Sequence, residues 1–482
     1  MERLWNSEAK EVFRFFTEIC AIPHGSGNVE KISDYLAAFA KERNLEYVQD
    51  ETKNVIIIRE AAPGYEAEEP LILQGHMDMV AVKKPGCTKD MVREGLDLET
   101  DGDWLYARDT SLGGDDGIAV AIMLAILDSE KIAHPRIEAV FTVDEETGMD
   151  GARAIDLSIC RGKRMLNLDS EDEGIFLTSC AGGARLHGNL SVEKETMEGY
   201  QYHILVGGLL GGHSGGEIHK ERGNSNCLAG RLLYECQKKA DVRLVSLEGG
   251  LADNAIPRQT QLALAVKKEE TAVFEAALQA FEAKVKKELE VKDPGFAVSV
   301  QEKSEGVFDV LTAQSSRKAA FLLLMMPNGV QSMSADIPGL VQTSLNLGIL
   351  KLDGKEMQMD FSVRSSLSSQ KELLLDQLKA ILASQGGTWE VFGDYPAWEY
   401  KKDSVLRDKM VAVYQEMYGS RPQVEAIHAG LECGILSGKI EDLDCVSIGP
   451  DMRDIHTTEE KLSISSVERV WKYVLAVLAR KD

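Results

Sequence analysis

Short apolar runs in this chain stop abruptly at acids and histidines. Leu71-Ile72-Leu73-Gln74-Gly75 runs into His76-Met77-Asp78, Ile137 to Val143 runs into Asp144-Glu145-Glu146, and Met165-Leu166-Asn167-Leu168 runs into Asp169. A near-continuous apolar run of this length reads as a strand covered on both faces, as in parallel sheets. Helical spacings alternate with these runs: Val12, Phe13, Phe16 and Ile19, then Ile32, Tyr35, Leu36 and Phe39, then an apolar stretch from Ile118 to about Leu127. A further strand is expected at Asn54–Ile58. Such alternation predicts a doubly wound, mostly parallel α/β sheet. Open sheets of this kind bind ligands at the carboxyl ends of their strands, where the acids and histidines fall.

The texture changes near residue 185. Alternating strands are expected at 185–192, 202–206, 242–247, 259–266, 295–300, 341–350 and 357–364, with helices near 226–239, 271–288 and 370–383. Hairpin-connected strands with helices to one side suggest an α+β unit of split-βαβ type. The first texture then returns, with a helix near 405–418, a strand at 445–449 and a terminal helix from Ser465. The expected organisation is a catalytic domain in two parts, 1–185 and 386–482, interrupted by a lid domain at 186–385. The polar stretch 83–108 reads as a surface excursion.

The chain has 482 residues, with 54 Lys and Arg against 78 Asp and Glu, a net charge of −24. That balance argues against nucleic acid and anionic membranes as partners. The eight cysteines include no C-x-x-C pair and read as reduced core residues. The N-terminus shows no apolar signal-peptide core and no run is long enough to span a bilayer, so a cytoplasmic protein is expected.

The turn Gly113-Gly114-Asp115-Asp116-Gly117 and the late His456 add further ligand-type residues. Counted with His76, Asp78, Glu145, Glu146 and Asp169, five of these acids and histidines could build two adjacent metal sites around a shared carboxylate, the ions about 3.5–4 Å apart. Imidazole and carboxylate donors suit Zn²⁺, with Mn²⁺ or Co²⁺ as alternatives. Singly, each acid reads as a solvated loop carboxylate; together at strand ends they do not. The glycine run 207–212 lacks the Gly-Lys-Ser/Thr of a phosphate loop, and Ser214 lacks a nucleophile elbow. His24, His134, His187 and His203 read as structural.

Gly75-His76-Met77-Asp78, the Gly-Gly-Asp-Asp-Gly turn, Asp144-Glu145-Glu146-Thr147-Gly148, Asp169 and His456 together resemble the ordered ligand set of the M20 family of dinuclear zinc peptidases. Cys180-Ala-Gly-Gly183, Gly212-His213-Ser214-Gly215-Gly216 and His428-Ala-Gly-Leu-Glu-Cys-Gly434 resemble its aminoacyl-histidine dipeptidase branch. The resemblance implies that His76 and Asp169 bind one ion, Glu146 and His456 the other, and Asp115 both. It implies that Asp78 orients His76, that Glu145 is the general base, and that the Asp115–Asp116 bond is cis. Many relatives carry Asn where this chain has Asp116, which leaves that residue without an assigned role. His213 resembles the residue that stabilises the oxyanion, and Asn254 and Arg364 resemble substrate binders; His219, His428 and Gly430 are weaker candidates. The implied activity is hydrolysis of unblocked dipeptides, Xaa-His and β-alanyl-histidine among them, by a homodimer. An amidase or deacylase of N-acyl amino acids on the same scaffold is the alternative, and a non-catalytic binding protein the remote one.

Overall fold

The computed structural model describes all 482 residues. The chain divides into two compact units. The first comprises 1–179, 400–426 and 431–482, and the second 180–399 with 427–430. The second unit thus contains the expected lid segment and extends it at both ends.

In the first unit, helices α1 (Lys10–Cys20) and α2 (Glu30–Glu42) precede strands β1 (Glu46–Gln49), β2 (Val55–Arg59) and β3 (Leu71–His76). Helix α3 (Gly114–Asp128) is followed by β4 (Ile137–Thr142), β5 (Arg164–Asn167) and β6 (Ile175–Cys180). Every residue of α3 from Gly114 to Leu127 is buried, which its all-round apolar sequence demands. All six residues of β3 and of β4 are buried as well, the signature of strands covered on both faces.

The second unit contains β7 (Gly182–Ser191), β8 (Lys194–Gly207), α4 (Ser225–Gln237), β9 (Arg243–Gly249), β10 (Thr260–Val266) and α5 (Thr271–Glu288). It continues with β11 (Ala297–Leu311), α6 (Ala313–Met325), β12 (Val341–Asp353), β13 (Glu356–Ser365), α7 (Ser368–Ser384) and β14 (Thr388–Tyr395). The main path of its nine-stranded sheet runs β11-β10 neighbours around β8, in the order β11-β8-β10-β9-β12-β13-β7-β14, with Gly329–Met333 paired to β12. Its pairings are antiparallel. Leu232, Phe274, Phe281, Leu322, Leu378 and Leu382 of the four helices join one apolar cluster with the inward residues of the strands.

The chain then returns to the first unit with α8 (Val405–Tyr418), β15 (Gln423–Ile427), α9 (Glu432–Lys439), β16 (Asp444–Ser447) and α10 (Ile464–Ala479). The eight-stranded sheet has the order β1-β2-β4-β3-β5-β16-β6-β15. Its centre, β4-β3-β5-β16, is parallel, and β2 and β6 flank it in antiparallel sense. The carboxyl ends of β3, β4 and β5 therefore lie side by side, and each is followed by an acid or carries a histidine. Part of the expected excursion is ordered as strands: Leu98–Asp101 and Trp104–Ala107 form a small sheet with Met452–Arg453 and Lys461–Ser463. No helix is long and apolar enough to cross a membrane.

Candidate active site

The site in the first unit grows out of β3. His76, the last residue of the strand, is buried, and its Nδ1 lies 3.0 Å from the backbone oxygen of Asp78. With the ring proton on Nδ1 donated there, Nε2 presents a lone pair. That lone pair faces two carboxylate oxygens, Asp115 Oδ1 at 3.2 Å and Asp169 Oδ1 at 3.7 Å. His456 Nε2 meets the other oxygen of Asp115 at 3.1 Å and Glu146 Oε1 at 2.9 Å. The latter contact is close but out of hydrogen-bonding line, since Glu146 Oε1 has no hydrogen-bond partner. Asp115 thus turns one oxygen to each imidazole. The five residues expected as metal ligands stand together.

Lone pairs on nitrogen facing lone pairs on oxygen repel unless a proton or a cation lies between them. The donor atoms of His76, Asp116 and Asp169, and likewise those of His76, Asp115 and Glu146, all fall within 4.8 Å of one another. Oxygen and imidazole donors in this number fit a divalent cation. Without a cation, protons take its place. Burial opposes charging His76, but Asp115, Asp78 and Asp169 outweigh it and hold its pKa well above the usual value. The hydrogen bond to Asp115 and the neighbouring Glu146 carboxylate raise His456 to about 10. Burial, reinforced by Asp116, holds the Asp169 carboxyl well above the usual carboxylate range. Asp115 is the exception: burial opposes its charge, but His456 and His76 pull it below the usual range.

A prediction follows from the sign of these shifts. With its pKa near 10, His456 keeps its proton at neutral pH in the metal-free protein, and a cation bound to its Nε2 would have to displace it. Calorimetric titration of metal-free protein with Zn²⁺ at pH 7 should release protons, so the apparent enthalpy should vary with the ionisation enthalpy of the buffer. Affinity should climb between pH 6 and 8, by about tenfold per unit for each proton displaced. Buffer-independent enthalpy and pH-independent affinity would contradict the arrangement.

Glu145 and Glu146 open a short helical turn, Glu145–Gly148, after β4. Glu146 faces His456, whereas Glu145 makes no ion pair with either imidazole. Burial, with Glu432, Glu146 and Asp115 adding to it against the pull of His76, pushes Glu145 up to about 8. Asp78 ties the two halves of this arrangement. Its Oδ1 accepts the Glu145 N–H at 3.1 Å and lies 3.4 Å from His76 Nδ1, while Oδ2 accepts the Ser26 hydroxyl at 2.8 Å. The Asp115–Asp116 peptide bond is cis. Asp116 turns Oδ2 behind β3, where it accepts the His76 N–H at 3.2 Å, and its buried Oδ1 has no partner. A side chain at Gly75 would collide with that carboxylate, its Cβ falling 2.4 Å from Oδ2.

Two buried acids that the sequence reading passed over complete the surroundings. Glu432, the first residue of α9, accepts from Gln74 Nε2 and Thr142 Oγ1, both at 2.6 Å. Gln74 in turn accepts from Asn167 Nδ2 at 2.6 Å, and Asn167 accepts the Asp169 N–H at 3.4 Å. Every donor in this chain points toward Glu432, which ties together the ends of β3, β4 and β5. The other acid, Glu460, accepts backbone N–H groups at the start of α3. Glu432 stands inside the quoted His428–Gly434 phrase and Glu460 four residues after His456, but neither spacing announces a partner.

The second unit holds the remaining candidates. His213 and Asn254 are brought together by the two-residue pairing of Gly212–His213 with Ala255–Ile256, and Ser214 N donates to Asn254 O at 2.8 Å. Asn346 Nδ2 donates to the carbonyls on either side, Asp253 O at 3.0 Å and Ala255 O at 2.9 Å. His213 Nδ1 accepts the N–H groups of Gly216 and Gly215 at 3.1 and 3.3 Å, so a neutral ring carries its proton on Nε2. Partial burial and the nearby Arg364 hold its pKa below the usual value. Arg364 on β13 donates to Tyr395 Oη at 3.3 Å, and its Nε is buried without a partner. His428 Nε2 lies 2.7 Å from Ser344 Oγ; burial, then Arg364, push the ring down to about 3. Gly430 ends the 427–430 segment that runs with this unit.

The model of peptidase family M20/M25/M40 matches residues 72–480. The chain belongs to this peptidase family. This M20 chain is 33% identical over 480 residues to the cytosol non-specific dipeptidase of Escherichia coli, covering 99% of both chains. The crystal structure of aminoacylhistidine dipeptidase from Vibrio alginolyticus superimposes with a TM-score of 0.95 at 32% identity, over 100% of this chain and 99% of that one. An aminopeptidase from Bacillus cereus, at 14% identity and a TM-score of 0.58 over 98% of each chain, shares the fold.

Proposed function

We propose that this M20 peptidase is a metal-dependent dipeptidase that hydrolyses unblocked dipeptides, Xaa-His and β-alanyl-histidine among them. The observation that carries the reading is Asp115, one oxygen toward His76 and the other toward His456, with Glu145 beside the pair and uncommitted. His76 and Asp169 would hold one divalent ion, Glu146 and His456 the other, and Asp115 both, with Zn²⁺ the expected metal. Such ions polarise a carbonyl and make a nearby water acidic at neutral pH.

The protein groups divide the remaining work. Glu145 takes the proton of the attacking water and hands it to the leaving amine, and its lack of an imidazole partner leaves it available for both transfers. Asp78 orients Glu145 through its N–H and His76 through Nδ1. Neutral His213, with its proton on Nε2, is the donor for the developing oxyanion. Arg364, with an unused buried N–H, takes the C-terminal carboxylate of the substrate, because a guanidinium fork binds carboxylate bidentately. Asn254 is proposed as a second substrate contact, with His428 and Gly430 beside Arg364 as further ones. A cytosolic homodimer is the proposed working form.

A substrate panel tests the reading. Free dipeptides should be cleaved and N-acyl amino acids left intact; the opposite preference would favour the amidase alternative. Amidating the dipeptide's C-terminus should reduce kcat/KM by about 10²-fold or more, as expected when a buried charged donor loses its partner. In Arg364→Ala the free acid should fall to the level of the amide. Equal hydrolysis of acid and amide by the wild type would remove Arg364 from the site.

A further inference from the structure

We propose that Glu460 is a positioning residue for the metal centre, holding Asp115 and His456 in register with one another. The proposal rests on reading the His76–Asp115–His456 cluster as that centre. Glu460 is 3% exposed and stands four residues beyond His456, at the far end of the same loop. One of its oxygens accepts the N–H groups of Leu112 and Gly113 at 2.8 and 3.1 Å, and the other those of Gly114 and Asp115 at 2.8 and 3.4 Å. These amides open α3, where no helical carbonyl can reach them. The helix has no side-chain cap of its own, since its N-cap residue is Gly113. A carboxylate contributed from 345 residues along the chain replaces it, and negative charge suits the positive end of a helix.

An ordinary cap serves the helix; this one serves what the first turn of the helix presents. Helix α3 is buried from Gly114 to Leu127, so packing keeps its body helical, but Asp115 (φ −84°, ψ 105°) and Asp116 (φ −117°, ψ 29°) at its entry depart from helical geometry. That kinked entry carries Asp115, whose two oxygens face two different imidazoles at once. The loop from His456 to Glu460 has the matching requirement. His456 has a φ of 61°, a left-handed conformation that a residue with a side chain keeps only when its surroundings hold it. One end of that loop therefore faces Asp115 Oδ2 through His456 Nε2 at 3.1 Å, and the other grips the Asp115 backbone through Glu460. The shared ligand and the histidine opposite it are referred to one carboxylate. Losing that reference lets the two drift apart without unfolding either element.

The test measures Zn²⁺ binding by metal-free wild type, Glu460→Gln and Glu460→Ala, using competition with a chelator, and thermal unfolding of each protein with and without Zn²⁺. Gln keeps the size of Glu but turns an amide N–H against backbone N–H groups, so it remains informative if the Ala variant does not fold. Wild type should bind two ions. In both variants the ion between Asp115 and His456 should bind about 10–100-fold more weakly, the usual effect of losing a group that orients a ligand. The rise in Tm on adding Zn²⁺ should shrink accordingly. If the variants bind both ions as wild type does, and lose the same Tm with and without metal, Glu460 only stabilises the fold and the proposal fails. Wild type that binds no metal would overturn the reading of the centre itself.

Discussion

Glu145→Gln should lose about 10²–10⁴-fold in kcat while keeping its metal content and unfolding profile, the range over which a general base contributes. The expectation comes from the division of labour between two neighbours. Glu146 faces His456 at 2.9 Å, whereas Glu145 is tied through its backbone, its N–H to Asp78 and its carbonyl to Met149 N–H, and its carboxylate forms no ion pair with either imidazole. A carboxamide at 145 can still fill the space and accept a hydrogen bond, but it cannot take a proton. Turnover measured beside metal analysis separates the two roles: a metal-replete variant with near-normal turnover would reassign the base, and a metal-depleted one would make Glu145 a ligand.

His213→Ala should reduce kcat by about 10²–10³-fold, the effect of removing one oxyanion donor, with metal affinity little changed. The ring is prepared for that role by two glycine amides directed at Nδ1, which leave Nε2–H as the donor, and by Arg364, which disfavours the charged form. His213→Gln, which retains an N–H donor, should recover part of the loss. Mixing inactive His213→Ala and Glu145→Gln chains then reports which chain supplies the histidine. Recovered activity after subunit exchange means delivery to a partner's site, and none despite exchange means delivery within one chain. Unchanged kcat in His213→Ala would remove the residue from catalysis.

The parallel centre of the first sheet was legible because strands covered on both faces cannot alternate. Ile72 and Leu73, and Ala139 to Phe141, are apolar without interruption, and an acid or histidine at the end of such a run stands out. Strand β11 was not legible beyond residue 300. Its middle, Gln301 to Gly306, is polar and lies on the sheet's outer edge, where neither face imposes a pattern. The strands at 98–101 and 104–107 were hidden for a related reason: they pair with residues 461–463, and so distant a partner leaves no mark on a short, half-exposed segment. Among the candidate site residues, His76, Glu146 and Asp169, proposed as metal ligands, were legible as polar residues at or just after the ends of apolar strands. Glu460 could not, because its partners are backbone amides, which every residue possesses. Glu432 was equally silent: a buried carboxylate one position into a helix looks like any acid near a helix N-terminus until Gln74 and Thr142 are seen against it.

The strand order has a consequence for how the living cell makes this protein. Strand β16 lies between β5 and β6, although more than two hundred and fifty residues separate it from either in the chain, including the whole of the second unit. A nascent chain emerging from the ribosome can pair β4, β3 and β5 early, but β5 and β6 must wait with a gap between them until residues 444–447 are synthesised. Asp115 waits longer still for His456, 341 positions away. Until then the cluster of His76, Asp115 and Asp169 lacks His456. On the proposed assignment, loading with both ions would be confined to the finished chain, after its last segment has closed the sheet.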